Sequence, residues 1–214
     1  MEIKVLKNIL DANDRLANEN HRIFDEKGVT AINIIGSPGS GKTSLILKTI
    51  ELTKGILNIQ VIEGDIESSI DAEKINATGS KAVQINTGGA CHLDANMIKM
   101  SLDEMELKEG ILFIENVGNL VCPAEFEIGE DHKVAVISVP EGHDKPYKYP
   151  LIFSKASAVV LTKADLLPYI EFDMDYFKEG LKSLNPNYRL FVLSVKTGEG
   201  VNDWIEWLKK HIKH

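Results

Sequence analysis

The chain has 214 residues, 43% of them hydrophobic, which suits one globular domain with a full core. Its 24 Lys and Arg against 32 Asp and Glu leave a net charge of −8, and with no basic run this argues against nucleic acid as the main partner. No apolar stretch approaches a membrane span and the first residues lack the apolar core of an export signal, so the two cysteines are expected in a reducing cytoplasm, as metal ligands or buried residues rather than a disulfide.

Residues 3–26 read as an amphipathic helix, with Ile3, Leu6, Ile9, Leu10, Leu16, Ile23 and Phe24 roughly at helical spacing. This N-terminal extension, 1–28, is either a packing helix on the sheet or a partner-binding element. The remainder, 29–214, alternates short apolar runs with helical patterns. Strands are expected near 30–35, 57–63, 81–85, 110–116, 133–139, 157–162 and 188–194. Helices are expected near 42–54, 68–78, 93–107, 147–154, 172–184 and 201–212. The alternation predicts an α/β fold, a mostly parallel sheet flanked by helices, and the unbroken run Ile111-Leu112-Phe113-Ile114 suits a strand buried on both faces. Ligands of such sheets sit beyond the carboxyl ends of the strands, where every motif below falls.

Gly36-Ser37-Pro38-Gly39-Ser40-Gly41-Lys42-Thr43 has the spacing G-x-x-x-x-G-K-[ST], between the apolar run 31–35 and a helix continuing from Ser44. Glycines let backbone N–H groups converge on phosphate oxygens, and the helix start adds a positive dipole end. Lys42 is expected to reach the outer phosphates and the Thr43 hydroxyl to hold Mg²⁺. Late in the chain, Thr162-Lys163-Ala164-Asp165 resembles the N/T-K-x-D guanine-recognition motif. A carboxylate at Asp165 accepts both the N1–H and the 2-amino group of guanine, which selects GTP and disfavours an ATP-dependent kinase. The stem of Lys163 is expected along the base, and Thr162, in place of the commoner Asn, is expected to tie this loop to the P-loop less firmly. Ser194-Val195-Lys196 looks like the loop that contacts guanine O6 through a backbone N–H.

Glu63-Gly64-Asp65 ends the second strand and Ile114-Glu115-Asn116-Val117-Gly118 the fourth, both expected to face the P-loop from neighbouring strands. Phosphoryl transfer needs carboxylates that hold Mg²⁺ and orient water. Asp65 is selected to hold the attacking water or to bind Mg²⁺ through it, and Glu115 stands where a Walker B carboxylate is expected. Asp71 opens a helix and is either a cap or a functional group. Gly118 looks like the glycine whose N–H touches the γ-phosphate, which would make residues 116–122 a nucleotide switch. No arginine lies in this region (Arg15, Arg22 and Arg189 are the only ones), so hydrolysis is expected to be slow for the chain alone.

Both cysteines fall in loops read as neighbours: Thr87-Gly88-Gly89-Ala90-Cys91-His92-Leu93-Asp94 after the third strand and Asn119-Leu120-Val121-Cys122-Pro123 after the fourth. Thiolate and imidazole suit Zn²⁺ and, in other geometries, Ni²⁺. Cys91, His92 and Cys122 leave a tetrahedral ion one ligand short, to be completed by water or by a second chain across a two-fold axis. His132 and His143 are further candidate ligands, His132 being read as a surface residue. The loop 140–148 is a candidate interface segment whose Lys148 would reach a neighbouring nucleotide, and His211 and His214 are read as solvated.

The P-loop, T-G-G-A-C-H-L-D, I-E-N-V-G-N-L-V-C-P-A-E-F-E-I-G-E-D-H and T-K-A-D together resemble the hydrogenase nickel-incorporation GTPases, the HypB family, over nearly the whole chain. The resemblance implies a SIMIBI-class P-loop GTPase that works as a nucleotide-dependent homodimer, with Cys91, His92 and Cys122 as metal ligands at the dimer interface. It further implies GTP-driven support of nickel delivery to the large subunit of [NiFe] hydrogenase, with the accessory protein HypA as partner. The N-terminal C-x-x-C-G-C motif and the histidine-rich stretch of many bacterial members do not occur here, so any nickel work is expected at Cys91, His92 and Cys122. The urease-type nickel GTPases carry C-P-H in the comparable region, whereas Cys122-Pro123 is followed by Ala124.

Overall fold

A computed structural model describes residues 2–66 and 69–213, with side chains from residue 11 onward. The expected helix start at residue 68, the side chains of Ile3, Leu6, Ile9 and Leu10, and His214 lie outside the described residues. In chain order the elements are α1 (Glu2–Glu26), β1 (Val29–Gly36), α2 (Lys42–Thr53), β2 (Ile59–Asp65), α3 (Ile70–Ala77) and β3 (Lys81–Asn86). There follow α4 (Ala95–Leu102), β4 (Gly110–Glu115), α5 (Cys122–Glu125), β5 (His132–Ser138), α6 (Lys145–Lys148) and α7 (Pro150–Lys155). The chain ends with β6 (Ala158–Thr162), α8 (Met174–Leu184), β7 (Arg189–Val192) and α9 (Val201–His211).

All seven expected strands form, in one parallel sheet of order β3-β2-β4-β1-β5-β6-β7. β1 and β4 are buried along their whole length, as strands covered on both faces must be. Side-chain alternation along β1 sends Ile32 and Ile34 to the face covered by α2 and α9, where they join Phe113 and Trp204. Ala31 and Ile35 face the other side. There Phe153 and Phe177 of α7 and α8 cover one half, and Phe24 of α1 and Ile98 of α4 cover the other. Over its described side chains α1 is thus a packing helix, burying Ala17 and Phe24.

Two expected helices differ from those observed. The helix expected over 93–107 ends at Leu102, because the Gln60 side chain engages the chain beyond it. Gln60 Nε2 donates to the Glu106 carbonyl at 2.9 Å, and its Oε1 accepts from Lys108 N at 2.8 Å, substituting for a strand partner. The helix expected over 147–154 is split into α6 and α7 at Tyr149, which precedes Pro150 and holds φ −129°, ψ 57°.

α9 closes the sheet through Trp204, fully buried, whose Nε1 donates to Thr49 Oγ1 of α2 at 2.9 Å. Trp204→Ala should cost about 3–5 kcal/mol of stability, from a cavity of aromatic size plus a lost buried hydrogen bond. Urea unfolding followed by far-UV circular dichroism checks this; a loss below about 1 kcal/mol would mean that α9 contributes little to the core.

Candidate nucleotide and metal site

The carboxyl ends of β1, β2 and β4 open on a cleft of about 680 Å³. The P-loop forms its floor. A Cβ on Gly36 would stand 2.3 Å from the Val136 carbonyl oxygen and 2.6 Å from Ser40 Oγ, so only glycine lets the loop leave β1 this close to β5. Gly39 and Gly41 take φ +73° and +97°, the left-handed values that turn the loop into α2. Lys42 Nζ donates to the carbonyls of Gly36 and Ser37, each at 3.3 Å, and Ser44 lines the cleft in the first turn of α2.

The acidic end gathers the expected carboxylates and one more. Thr43 Oγ1 lies 2.9 Å from Glu115 Oε1 and 3.2 Å from Asp71 Oδ2. Asp71 therefore faces the P-loop and does not cap α3, whose N-cap is Ser69. Asp65 lines the cleft at the end of β2. Glu63, two residues earlier on the same strand face, is 3% exposed beside Glu115, also 3% exposed. Burial, then the Glu115 charge, pushes the Glu63 carboxyl up to about 10. Burial also raises Glu115, opposed by the ammonium of Lys42, whose Nζ is 4.0 Å from Oε1. The remaining oxygen of each, Oε2, is buried without a partner among the described residues. Glu63 was legible in the sequence through strand alternation, since it shares the face of Val61 and Asp65.

At the end of β6 a tie to the P-loop is present: Thr162 Oγ1 donates to the Ser40 carbonyl at 2.6 Å. Lys163 has φ +58°, the one non-glycine positive φ among the described residues, and its Nζ donates to the Gly39 carbonyl at 2.8 Å. Its stem consequently lies over the end of the P-loop. Asp165 Oδ1 accepts from Ser194 Oγ at 2.7 Å, so Ser194 fixes the carboxylate. Val195 and Lys196 lie in the turn that Gly198 N closes on the Ser194 carbonyl at 2.8 Å.

Cys91 Sγ, a His92 ring nitrogen and Cys122 Sγ all lie within 4.8 Å of one another. The loops that carry them are not neighbours in the sheet: β2 runs between β3 and β4. They meet because Gly64 of β2 has no side chain. A Cβ there would stand 2.7 Å from Leu93, which passes over it. Asn119 Nδ2 then donates to the Cys91 carbonyl at 3.3 Å, joining the two loops. The His92 ring stacks on Phe126 at 4.0 Å, and burial lowers its pKa, which keeps the imidazole neutral and able to ligate. The hydrogen bond with Cys122 raises the Cys91 thiol.

Other candidate groups are engaged elsewhere. His132 is half-buried against Trp207 and His211, at the opposite end of β5 from the P-loop. His211 is exposed but not merely solvated, since its Nδ1 lies 2.7 Å from the Trp207 carbonyl. His143 Nδ1 accepts from Asp173 N at 3.1 Å, and Lys148 pairs with Asp144 at 2.5 Å. His21, Asp25 and Asp131 also cluster, but Lys213 bonds both carboxylates at 2.5 and 2.6 Å and supplies their cation.

Residues 30–192 match the CobW/HypB/UreG nucleotide-binding domain family. The hydrogenase maturation factor HypB of Rhizobium leguminosarum bv. viciae is 50% identical over 97% of this chain and 70% of its own length. The crystal structure of HypB from Archaeoglobus fulgidus is 40% identical with a TM-score of 0.89, covering 95% of this chain and 100% of that one. HypB from Helicobacter pylori, solved in complex with nickel, is 34% identical with a TM-score of 0.89 over 95% of this chain and 98% of that one. The chain belongs to the CobW/HypB/UreG nucleotide-binding family and, within it, to the HypB hydrogenase maturation factors.

Proposed function

We propose that this chain hydrolyses GTP and uses the nucleotide cycle to hold and hand on nickel during maturation of [NiFe] hydrogenase. The observation that carries the reading is covalent: Gly118 at the phosphate cleft and Cys122 at the thiol–imidazole cluster lie on one loop, four residues apart. A Cβ on Gly118 would stand 2.7 Å from Pro38 of the P-loop, so this backbone lies against the loop that cradles phosphate. A γ-phosphate bonded by Gly118 N–H would pull the same segment that carries Cys122. Cys91, His92 and Cys122 are the proposed nickel or zinc ligands, consistent with the nickel-bound relative from H. pylori. Three ligands leave a place for a ligand from a second copy, which favours a GTP-promoted homodimer.

Asp165, held by Ser194, takes the guanine edge, while Thr162 and Lys163 tie its loop to the P-loop. Val195 and Lys196 offer backbone N–H groups at the base. The N–H groups of residues 36–44 and the Lys42 ammonium hold the phosphates. Thr43 and Glu115, with Asp65 near, would hold Mg²⁺, which when bound neutralises phosphate charge. The unpartnered Oε2 atoms of Glu63 and Glu115 suit a site made for a cation. Asp65 orients the attacking water. Arg15 and Arg22 belong to α1 and Arg189 to β7, so no arginine of this chain lines the cleft and turnover alone is slow. HypA and the hydrogenase large subunit are the proposed partners, in the cytoplasm, without nucleic acid or membrane. No helix among the described residues is long and apolar enough to cross a membrane.

Asp165→Asn should weaken GTP about tenfold or more, a loss of about 1.4 kcal/mol or more, because the amide cannot accept both guanine donors. Competition by unlabelled GTP, GDP and ATP against a fluorescent nucleotide measures it; unchanged GTP affinity would remove Asp165 from recognition. The metallochaperone reading is tested by metal content, Ni²⁺ affinity and oligomeric state, with GDP and with a non-hydrolysable GTP analogue, for wild type and Cys122→Ala. A dimer linked to the analogue, with metal lost in Cys122→Ala, is expected. Equal Ni²⁺ affinity in both nucleotide states would sink the coupling.

A further inference from the structure

Asn116 stands between the two loops that matter, and its side chain bonds both. It is the first residue after β4 and is 1% exposed. Its Oδ1 accepts from Leu93 N at 2.9 Å and from Val117 N at 3.1 Å. Leu93 directly follows the Cys91-His92 pair, and Val117 directly precedes Gly118. One buried oxygen therefore joins the backbone of the metal loop to the backbone of the phosphate-facing loop.

The orientation of that amide is set from a distance. Asn116 Nδ2 donates to Asn33 Oδ1 at 3.2 Å, and Asn33 Nδ2 donates to Glu130 Oε1 at 2.9 Å. Glu130, held by Lys133 at 2.6 Å, accepts only, so Asn33 must offer its oxygen to Asn116 and Asn116 its oxygen to the two loops. An amide rotated by half a turn would place Nδ2 against two N–H donors in a site shielded from water.

The far end of the metal loop is clamped. Asn13 and Asn20, seven apart on α1, hold Ala95: Asn13 Oδ1 accepts from Ala95 N at 3.0 Å, and Asn20 Nδ2 donates to the Ala95 carbonyl at 2.8 Å. Asn13 Nδ2 also donates to the Glu127 carbonyl at 2.8 Å, and Asn20 Nδ2 to the Ile128 carbonyl at 3.1 Å. With Ala95 fixed to α1, a displacement of Leu93 is confined to the residues on either side of it, Asp94 toward α4 and Cys91 and His92 toward the start of the loop.

We propose that Asn116 is the positioning residue that transmits nucleotide state to the metal loop, acting as a pin between Val117 and Leu93, with the asparagines of α1 as its backstop. Movement of residues 117–118 on γ-phosphate binding is delivered through the shared oxygen to Leu93. The geometry of Cys91 and His92 then changes together with that of Cys122, from both sides of the ion. This rests on the nucleotide–metal coupling proposed above and names the atoms that carry it.

The test uses the full chain at saturating GDP and at saturating non-hydrolysable GTP analogue with Mg²⁺, in wild type, Asn116→Ala and Asn116→Asp. Two quantities are read: Ni²⁺ affinity by calorimetry, and hydrogen exchange of the amides of residues 91–95 without Ni²⁺. Wild type should show a nucleotide-dependent Ni²⁺ affinity ratio of about fivefold or more and a nucleotide-dependent change in exchange at 91–95. Asn116→Ala should still bind Ni²⁺ but bring the ratio to about one and abolish the exchange response. Asn116→Asp, which keeps an acceptor for both N–H groups, should restore part of each. If Asn116→Ala does not fold, Asn33→Ala, which frees the Asn116 amide to rotate, should show the same loss. A wild-type ratio retained in folded Asn116→Ala overturns the pin while leaving the coupling intact. A wild-type exchange response without any affinity ratio keeps the pin and removes the metal coupling. No response of either kind in wild type overturns both.

Discussion

A parallel sheet sends the carboxyl end of every strand to one edge, so loops from distant parts of the sequence meet there without any of them being long. The P-loop leaves β1 at that edge, the acidic pair Glu63 and Glu115 closes β2 and β4, and Thr162 closes β6. Strand order then decides what touches. β4 lies between β1 and β2, which places Glu115 against Thr43 and Glu63 against Glu115. Close packing at this edge admits glycine alone at Gly36, where the P-loop passes a carbonyl of β5, and at Gly64, where the metal loop crosses β2.

Lys42 stands beside Glu115 in the cleft and Lys74 pairs with Asp71 at 2.7 Å, while the two buried glutamates have an oxygen each without a partner among the described residues. Burial, and after it the neighbouring Glu115 charge, raises the Glu63 carboxyl, with Lys42 opposing. These unpartnered oxygens and the Thr43 hydroxyl beside them leave acceptors in the cleft that its own internal pairs do not use. At the ends of β6 and β7 Thr162, Lys163, Asp165 and Ser194 are each tied to a neighbour, which leaves a preformed surface.

A second polar system runs through the half of the molecule that α1 covers. It begins at the Lys133 ion pairs, passes through Glu130, Asn33 and Asn116, and reaches Leu93 and Val117. Beside it, Asn13 and Asn20 of α1 bond the backbone of Ala95, Glu127 and Ile128. The Glu130 carboxylate sets the direction of the Asn33 amide and through it that of Asn116, so this part of the network favours one arrangement. The helix that precedes the first strand thereby holds the end of the Cys91-His92 loop as well as covering the sheet.

Local pattern carried much of this into the sequence. Short apolar runs marked all seven strands, and the spacing of Gly36 to Thr43 placed the P-loop. Such features are written in contiguous residues, because period and glycine placement are properties of a short segment. Where the reading fell short, the cause was a partner far along the chain: Gln60 ending α4 through Glu106 and Lys108, the Thr162 hydroxyl bracing Ser40, Asp71 turning to Thr43. Strand alternation put Glu63 on the face of Asp65, but its pairing with Glu115 came only from β2 lying beside β4. By itself the sequence determined the fold class, the nucleotide motifs and the identity of the thiol and imidazole groups. Only the tertiary structure decided that loops two strands apart meet over Gly64 and that one amide of Asn116 serves both, because strand order and side-chain direction arise from packing between segments and leave no periodic mark on any one of them.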